Sequence, residues 1–307
     1  MRLVFAGTPE AAVPSLRRLA ASDHDIVAVV TRSDAPLGRK RVLTPSAVAQ
    51  AADELGIETI KTDRLDDAAT EAIRALEPQL GVIVAYGGLV REPLLSLPDH
   101  GWINLHFSLL PRWRGAAPVQ RAVMAGDAET GVAVFQLVPE LDAGDVFAQE
   151  RFLIPPRATA GDLLAALAVD GADLLADVVD SIAGGTAHAI PQEGEPTLAP
   201  KLTLDDGRIR WTDDRAAVLA RIRGVTPEPG AHTALGDARL KILEAGEAEA
   251  SVARLAPGEI GLAGRAVVAG TGSDPIVLER VQPAGKGAMS APDWWRGLRI
   301  DGTVVAS

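Results

Sequence analysis

Short apolar runs alternate with helical patterns through the first half of the chain. Leu3-Val4-Phe5-Ala6 reads as a strand. Pro9 to Ala20 repeats its apolar positions every 3–4 residues, the period of a helix with one buried face. Ile26 to Val30 is a β-branched run and a second strand. Thr44-Pro45-Ser46 opens a helix that reaches about Leu55, and Ala68 to Leu76 reads as another. Leu80–Ala85 and Gly101–Leu105 are further apolar strands. Continuous apolar strands separated by helices predict a parallel sheet covered on both faces, an α/β fold. Gly131–Val138 and Val146–Ile154 are joined by a short link, which fits a hairpin, and Ala160–Ile182 is a long Ala/Leu helix. From Gly184 to Pro200 the chain turns rich in Gly, Pro, Thr and Glu and reads as a linker. Beyond it lie a helix, Asp213–Arg223, and short apolar segments at 240–243, 264–268 and 275–278, the pattern of a small barrel.

Composition removes several classes. The 307 residues, 47% hydrophobic and 23% charged, suit about two domains with full cores. Without a cysteine, the chain forms no disulfide, thiolate metal site, iron–sulfur cluster or cysteine nucleophile. The five histidines, at 24, 100, 106, 188 and 232, show no metal-ligand spacing. The first apolar run is too short for a signal peptide, and none approaches the roughly 18 residues of a membrane span. A cytoplasmic monomer without metal or membrane contact is expected. Net charge is −11; residues 201–307 carry 14 basic and 14 acidic groups, so the whole imbalance lies in residues 1–200. An acidic chain argues against bulk electrostatic binding of nucleic acid.

The first strand runs into Gly7-Thr8-Pro9-Glu10. A dinucleotide-binding turn needs three glycines there, so nicotinamide chemistry is disfavoured. The informative stretch is Ile103–Asp145. Asn104 and His106, two apart at the end of a strand, project from one face at the carboxyl end of the sheet. Open α/β folds place their ligand crevice there. Asp142 lies in the turn-rich Leu141–Asp145. Taken singly these residues also fit a polar strand end and a loop carboxylate. Together they supply what acyl transfer to an amine requires: donors for an oxyanion and a carboxylate to orient an imidazole. Ser108-Leu109-Leu110-Pro111 follows as an extended segment, able to offer backbone groups to a flat heterocycle.

The segment INLHFSLLPRWRGAAPVQRAVMAGDAETGVAVFQLVPELDAGDV, with FAGTPE, Ile83–Gly87 and Gln282–Ala291, resembles the 10-formyltetrahydrofolate-dependent formyltransferase family over nearly the whole chain. Among its members the likeness is to those acting on methionyl initiator tRNA. The resemblance implies a Rossmann-like formyltransferase domain over residues 1–188, a linker over 189–205 and a barrel similar to an OB fold over 206–307. It implies that Asn104, His106 and Asp142 are catalytic and that Ser108, Leu109, Leu110 and Pro111 line the tetrahydrofolate site. The cosubstrate would be 10-formyltetrahydrofolate and the partner methionyl initiator tRNA. Asp142 is then expected to raise the His106 pKa above its ordinary value of about 6.5, giving an imidazolium that stabilises the formyl oxygen. Phe107 stands where the family usually has Gly.

Glycinamide ribonucleotide and amino-sugar formyltransferases share the same three polar residues. Two features favour tRNA: the added C-terminal domain and the stretch Arg32–Ser46. That stretch carries Arg32, Arg39, Lys40 and Arg41 against Asp34 alone. Pro36, Gly38 and Pro45 argue against a strand there, so it reads as an exposed loop. The resemblance implies that Arg39, Lys40 and Arg41 meet tRNA phosphates. Arg208, Arg210 and Lys286 are candidates for a basic face in the second domain. A non-catalytic tRNA-binding protein is the remaining alternative, disfavoured by the intact polar trio.

Overall fold

The structure, a computed structural model, describes residues 1–38, 41–300 and 302–307. The first unit comprises residues 1–118, 129–153 and 164–199. Its strands are β1 (Arg2–Gly7), β2 (Asp25–Thr31), β3 (Ala35–Leu37), β4 (Val42–Thr44), β5 (Thr59–Lys61), β6 (Leu80–Val84), β7 (Trp102–His106), β8 (Glu129–Gln136) and β9 (Val146–Leu153). The helices along this part of the chain are α1 (Val13–Ala20), α2 (Ala47–Leu55), α3 (Asp67–Arg74), α4 (Pro118–Ala125) and α5 (Ala160–Ala183). The main sheet has the order β5-β2-β1-β6-β7-β8-β9. Its first five strands are parallel, and β8 and β9 run antiparallel.

The central strands are buried on both faces, as their unbroken apolar runs require: every residue of β6 is buried, and Leu3 to Ala6 of β1 are fully covered. Caps fix the helix starts. Ser46 accepts from the Ala49 N–H at the head of α2, and Asp66 accepts from the Ala69 N–H at the head of α3.

The stretch 35–43 departs from the expectation of no regular structure. β3 and β4 pair antiparallel, with Ala35 opposite Thr44 and Leu37 opposite Val42. A proline at 36 is tolerated because a two-stranded ribbon consists only of edges, where a missing N–H removes at most one ladder bond. Leu37, Val42 and Leu43 are all exposed on this hairpin. Arg41, in the turn just before β4, has φ +49°; Arg39 and Lys40 lie outside the described residues.

The second unit comprises residues 200–307 together with 119–128 and 154–163, so it takes in two stretches that precede the linker in sequence. Most of α4 lies in the first of these stretches, and Met124 packs against the second unit's core. The remaining elements are α6 (Arg215–Gly224), β10 (His232–Leu235), β11 (Ala238–Glu247), β12 (Glu259–Ala263), β13 (Ala266–Ala269), β14 (Ile276–Pro283), β15 (Met289–Ser290), α7 (Ala291–Leu298) and β16 (Val304–Val305). The sheet is antiparallel in the order β10-β11-β14-β13-β12-β16, with β15 beside β14. Register shifts near Glu244 bend β11, as bulges do in strongly curved sheets. Ala234 and Ser307 exchange backbone hydrogen bonds of 2.9 and 3.0 Å, bringing Ser307 beside β10. The core holds Trp211, Trp294 and Trp295 with Ile242, Ile260 and Leu278. The sheet therefore has the small antiparallel architecture that its short segments indicate.

Residues 190–199, within the stretch that reads as a linker, are held on the first unit. Ile190 and Val146 exchange backbone hydrogen bonds of 3.0 and 2.8 Å, and Arg114 pairs with Leu198. The arrangement lacks regular secondary structure, yet the backbone groups of Ile190, Thr197 and Ala199 bond to Val146, Pro111, Arg114 and Ala117.

Candidate active site

β7 lies between β6, which runs parallel to it, and β8, which runs antiparallel. The pleat puts the side chains of Asn104 and His106 on one face near the carboxyl end of β7. His106 is 5% exposed and meets the Phe135 ring edge-on, with centroids 6.3 Å apart. Its Nε2 lies 2.9 Å from the Trp113 carbonyl. A carbonyl only accepts, so Nε2 carries the proton and Nδ1 is the atom that faces Asp142.

Asp142 arrives on the loop between β8 and β9. Its Oδ2 stands 3.8 Å from His106 Nδ1, beyond hydrogen-bond range. The same oxygen accepts from the Gly115 N–H at 2.7 Å. Asp142 and Trp113 both occupy left-handed backbone, with φ of +46° and +61°. That conformation is uncommon for a residue with a side chain, and surrounding contacts have to hold it. Two glycines allow the loops their close approach. Gly115 has φ +125°, and a Cβ there would lie 2.7 Å from the Ala199 carbonyl oxygen. At Gly144 a Cβ would lie 1.8 Å from the Gln136 carbonyl oxygen.

The expected rise in the His106 pKa is not met. Burial pushes it below the ordinary value, and the Asp142 carboxylate and Trp113 carbonyl, which pull the other way, do not offset that desolvation. The resting imidazole is therefore neutral at pH 7, with a basic nitrogen facing a carboxylate that would stabilise it once protonated.

Ser108 is fully buried, and its hydroxyl donates to the Arg112 carbonyl at 2.6 Å. It closes its own loop. Leu110 packs with Ala133, Phe135 and Val146. Leu109, Leu110 and Pro111 line a cavity of about 570 Å³, shared with Arg151 and the acidic pair Glu193 and Glu195. Asn104, His106 and Asp142 do not line it. Phe107 is 6% exposed, so its ring belongs to the interior.

Ile83–Gly87 forms the adjacent strand end. Tyr86 is buried and donates to the Thr62 carbonyl at 3.1 Å. Arg32 lies over the Tyr86 ring, 5.8 Å from its centroid, and donates to the carbonyls of Asp63 and Gly87. Its charge thus fastens the loops after β5 and β6. Arg208, Arg210 and Lys286 are exposed on the second unit. Among the described residues no cluster of three His, Asp or Glu side chains is placed to hold a metal ion. No described helix is long and apolar enough to cross a membrane.

Two residues of the site escape the sequence pattern. Gln192 donates to the carbonyls of Asp142 and Gly144, each at 2.8 Å, and Thr197 Oγ1 accepts from the Trp113 N–H at 2.9 Å. Both lie in the Gly/Pro-rich stretch, where neither period nor motif marks them.

Residues 1–179 match the formyl transferase family, and residues 201–299 match the family described as formyl transferase, C-terminal domain. The chain is 64% identical over 305 residues to the methionyl-tRNA formyltransferase of Clavibacter sepedonicus, covering 99% of this chain and 100% of that relative. Among solved structures it is similar to WlaRD, a sugar 3N-formyl transferase crystallised in the presence of dTDP and 5-N-formyl-THF. The TM-score is 0.69 at 16% identity, covering 94% of this chain and 99% of WlaRD. It is also similar to the methionyl-tRNA formyltransferase of Clostridium thermocellum, with a TM-score of 0.58 at 15% identity, covering 82% of this chain and 95% of that one. These two likenesses concern the fold.

Proposed function

Because the chain belongs to the formyl transferase family, we propose that it moves the formyl group of 10-formyltetrahydrofolate to the amino group of methionyl initiator tRNA. The product is formylmethionyl-tRNA for translation initiation. The observation that carries this reading is the meeting of His106 and Asp142, 3.8 Å apart, at the carboxyl end of β7.

The chemistry follows from the resting state of the imidazole. The neutral amine of the esterified methionine attacks the formyl carbon, and the carbonyl π electrons move to oxygen. Asn104 donates its amide N–H to that oxyanion. The proton shed by the amine passes to His106 Nδ1. The imidazolium so formed lies beside Asp142, while Trp113 retains the Nε2 proton. Collapse of the tetrahedral adduct breaks the bond to N10, which takes the proton back from His106 as tetrahydrofolate leaves. Leu109, Leu110 and Pro111 supply the wall for the folate, with Ser108 holding their loop. Arg39, Lys40 and Arg41, with the domain over 206–307 and its Arg208, Arg210 and Lys286, are assigned to the tRNA. A few clustered cations bind phosphate in an acidic protein because screening limits distant charge to about 8–10 Å.

The test is a transfer assay with purified protein, 10-formyltetrahydrofolate and charged initiator tRNA, run beside glycinamide ribonucleotide and an amino sugar. Formylation of the tRNA alone is expected; transfer to a small amine in its place would overturn the assignment.

A pH profile tests the proton's route. The base form of His106 is required, and its pKa is depressed. Activity should therefore be complete at pH 7 and fall only below the ordinary histidine value of about 6.5. In Asp142→Asn the carboxylate that favours imidazolium is gone, so the acid limb moves to still lower pH while the plateau drops. An acid limb above 6.5, or one that moves upward in the variant, contradicts this route.

A further inference from the structure

Gln192 spends its whole amide on two catalytic loops. Nε2 donates to the Asp142 and Gly144 carbonyls, both at 2.8 Å. Oε1 accepts from Arg114 at Nε, 3.1 Å, and at a terminal guanidinium nitrogen, 2.6 Å. Arg114 is the neighbour of Gly115, whose N–H holds the Asp142 carboxylate at 2.7 Å. The contacts close a ring: Gln192 to the Asp142 backbone, the Asp142 carboxylate to Gly115, Gly115 to Arg114, and Arg114 back to Gln192. The strap that carries Gln192 is tied on either side, by Ile190 to Val146 and by Leu198 to Arg114.

Asp142 needs such support. Its φ of +46° is left-handed backbone, which an aspartate enters more readily than most residues but only when surrounding contacts hold it. A carboxylate misplaced by about 1 Å loses much of its effect, with costs of up to about 100-fold in rate. We infer that Gln192 is a positioning residue for formyl transfer: it fixes the backbone of Asp142 so that the carboxylate stands between the Gly115 N–H and the His106 imidazole. It acts through Asp142 and touches neither substrate. This inference rests on the formyl transfer reading.

Two variants separate positioning from a merely structural role. Gln192→Leu removes every contact. Gln192→Glu keeps the shape and the acceptor for Arg114 but turns an oxygen towards two carbonyls. Wild-type protein is first shown to formylate charged initiator tRNA; failure there removes the reading beneath this inference, whatever the variants do. With transfer established, both variants should lose about 10- to 100-fold in kcat with little change in KM for the folate. Both should carry the acid limb of the pH profile downward, as Asp142→Asn does. In an Asp142→Asn background the same changes should cost less than about threefold. Wild-type kcat in folded Gln192→Glu would overturn the inference. So would an undiminished loss in the Asp142→Asn background, since a structural defect acts whether or not the carboxylate is present.

Discussion

Replacing His106 with alanine should lower kcat for formyl transfer by about 10²–10³-fold, the usual cost of losing one group that handles charge in a transition state. Its unprotonated Nδ1 faces Asp142, and the resting ring is neutral because burial outweighs the carboxylate. On the proposed route, removing the ring takes away the acceptor of the amine proton as the C–N bond forms. It also removes the 2.9 Å hydrogen bond to the Trp113 carbonyl, so folding has to be checked by thermal melting alongside the kinetics. Folate affinity should hold within a few-fold, because His106 does not line the cavity formed by Leu109, Leu110 and Pro111. Loss in the His106→Ala, Asp142→Ala double variant should match the larger single loss rather than the product, as for residues that act as a unit. Single-turnover transfer at saturating folate and charged tRNA measures all of this. Near-normal turnover in a folded His106→Ala protein would remove the residue from the chemistry.

Gly144→Ala should damage stability and activity together. The added methyl would lie 1.8 Å from the Gln136 carbonyl oxygen and 3.3 Å from Val138 Cγ1. The first contact is with backbone, which no side-chain rotation relieves. The end of β8 is also tied to this loop, since the Gln136 N–H donates to the Asp145 carbonyl at 2.9 Å. Either that bond breaks or the loop moves outward. Overpacking of this kind costs about 1–3 kcal/mol or more. For a unit the size of the first, each kcal/mol lowers Tm by about 2–4 °C. The activity loss should exceed what unfolding explains, because Asp142 is two residues away and its carbonyl shares Gln192 with that of Gly144. Calorimetry and kcat below the melting range check both halves. A variant with unaltered Tm and kcat would show that the loop absorbs the methyl without cost.

The residues that alternation alone could place were legible. Asn104 and His106 share a face because they are two apart on a strand, and the β8–β9 hairpin follows from two strands with a short link. Burial was not legible. The sequence names Asp142 as the charge near His106, but the sign of the shift depends on how little water reaches the ring. The strap at 190–199 was hidden for a different reason. Its hydrogen bonds go to loops far away in sequence, so it keeps the Gly/Pro composition of a free connection. At α7 the signal was present: Ser290 caps the helix by accepting from the Asp293 N–H, a Ser-x-x-Asp pattern ahead of two tryptophans. The β3–β4 hairpin was masked by Pro36, which a ribbon without interior strands tolerates.

The discontinuous make-up of the second unit bears on the order in which the protein is built. A nascent chain leaves the ribosome from its N-terminus, so residues 119–128 and 154–163 emerge long before β10 to β16 exist to receive them. Until residue 200 is passed, Met124 has no core to join. Ala234 likewise waits for Ser307, with which it exchanges two backbone bonds. The second unit therefore cannot close until its later strands have left the ribosome.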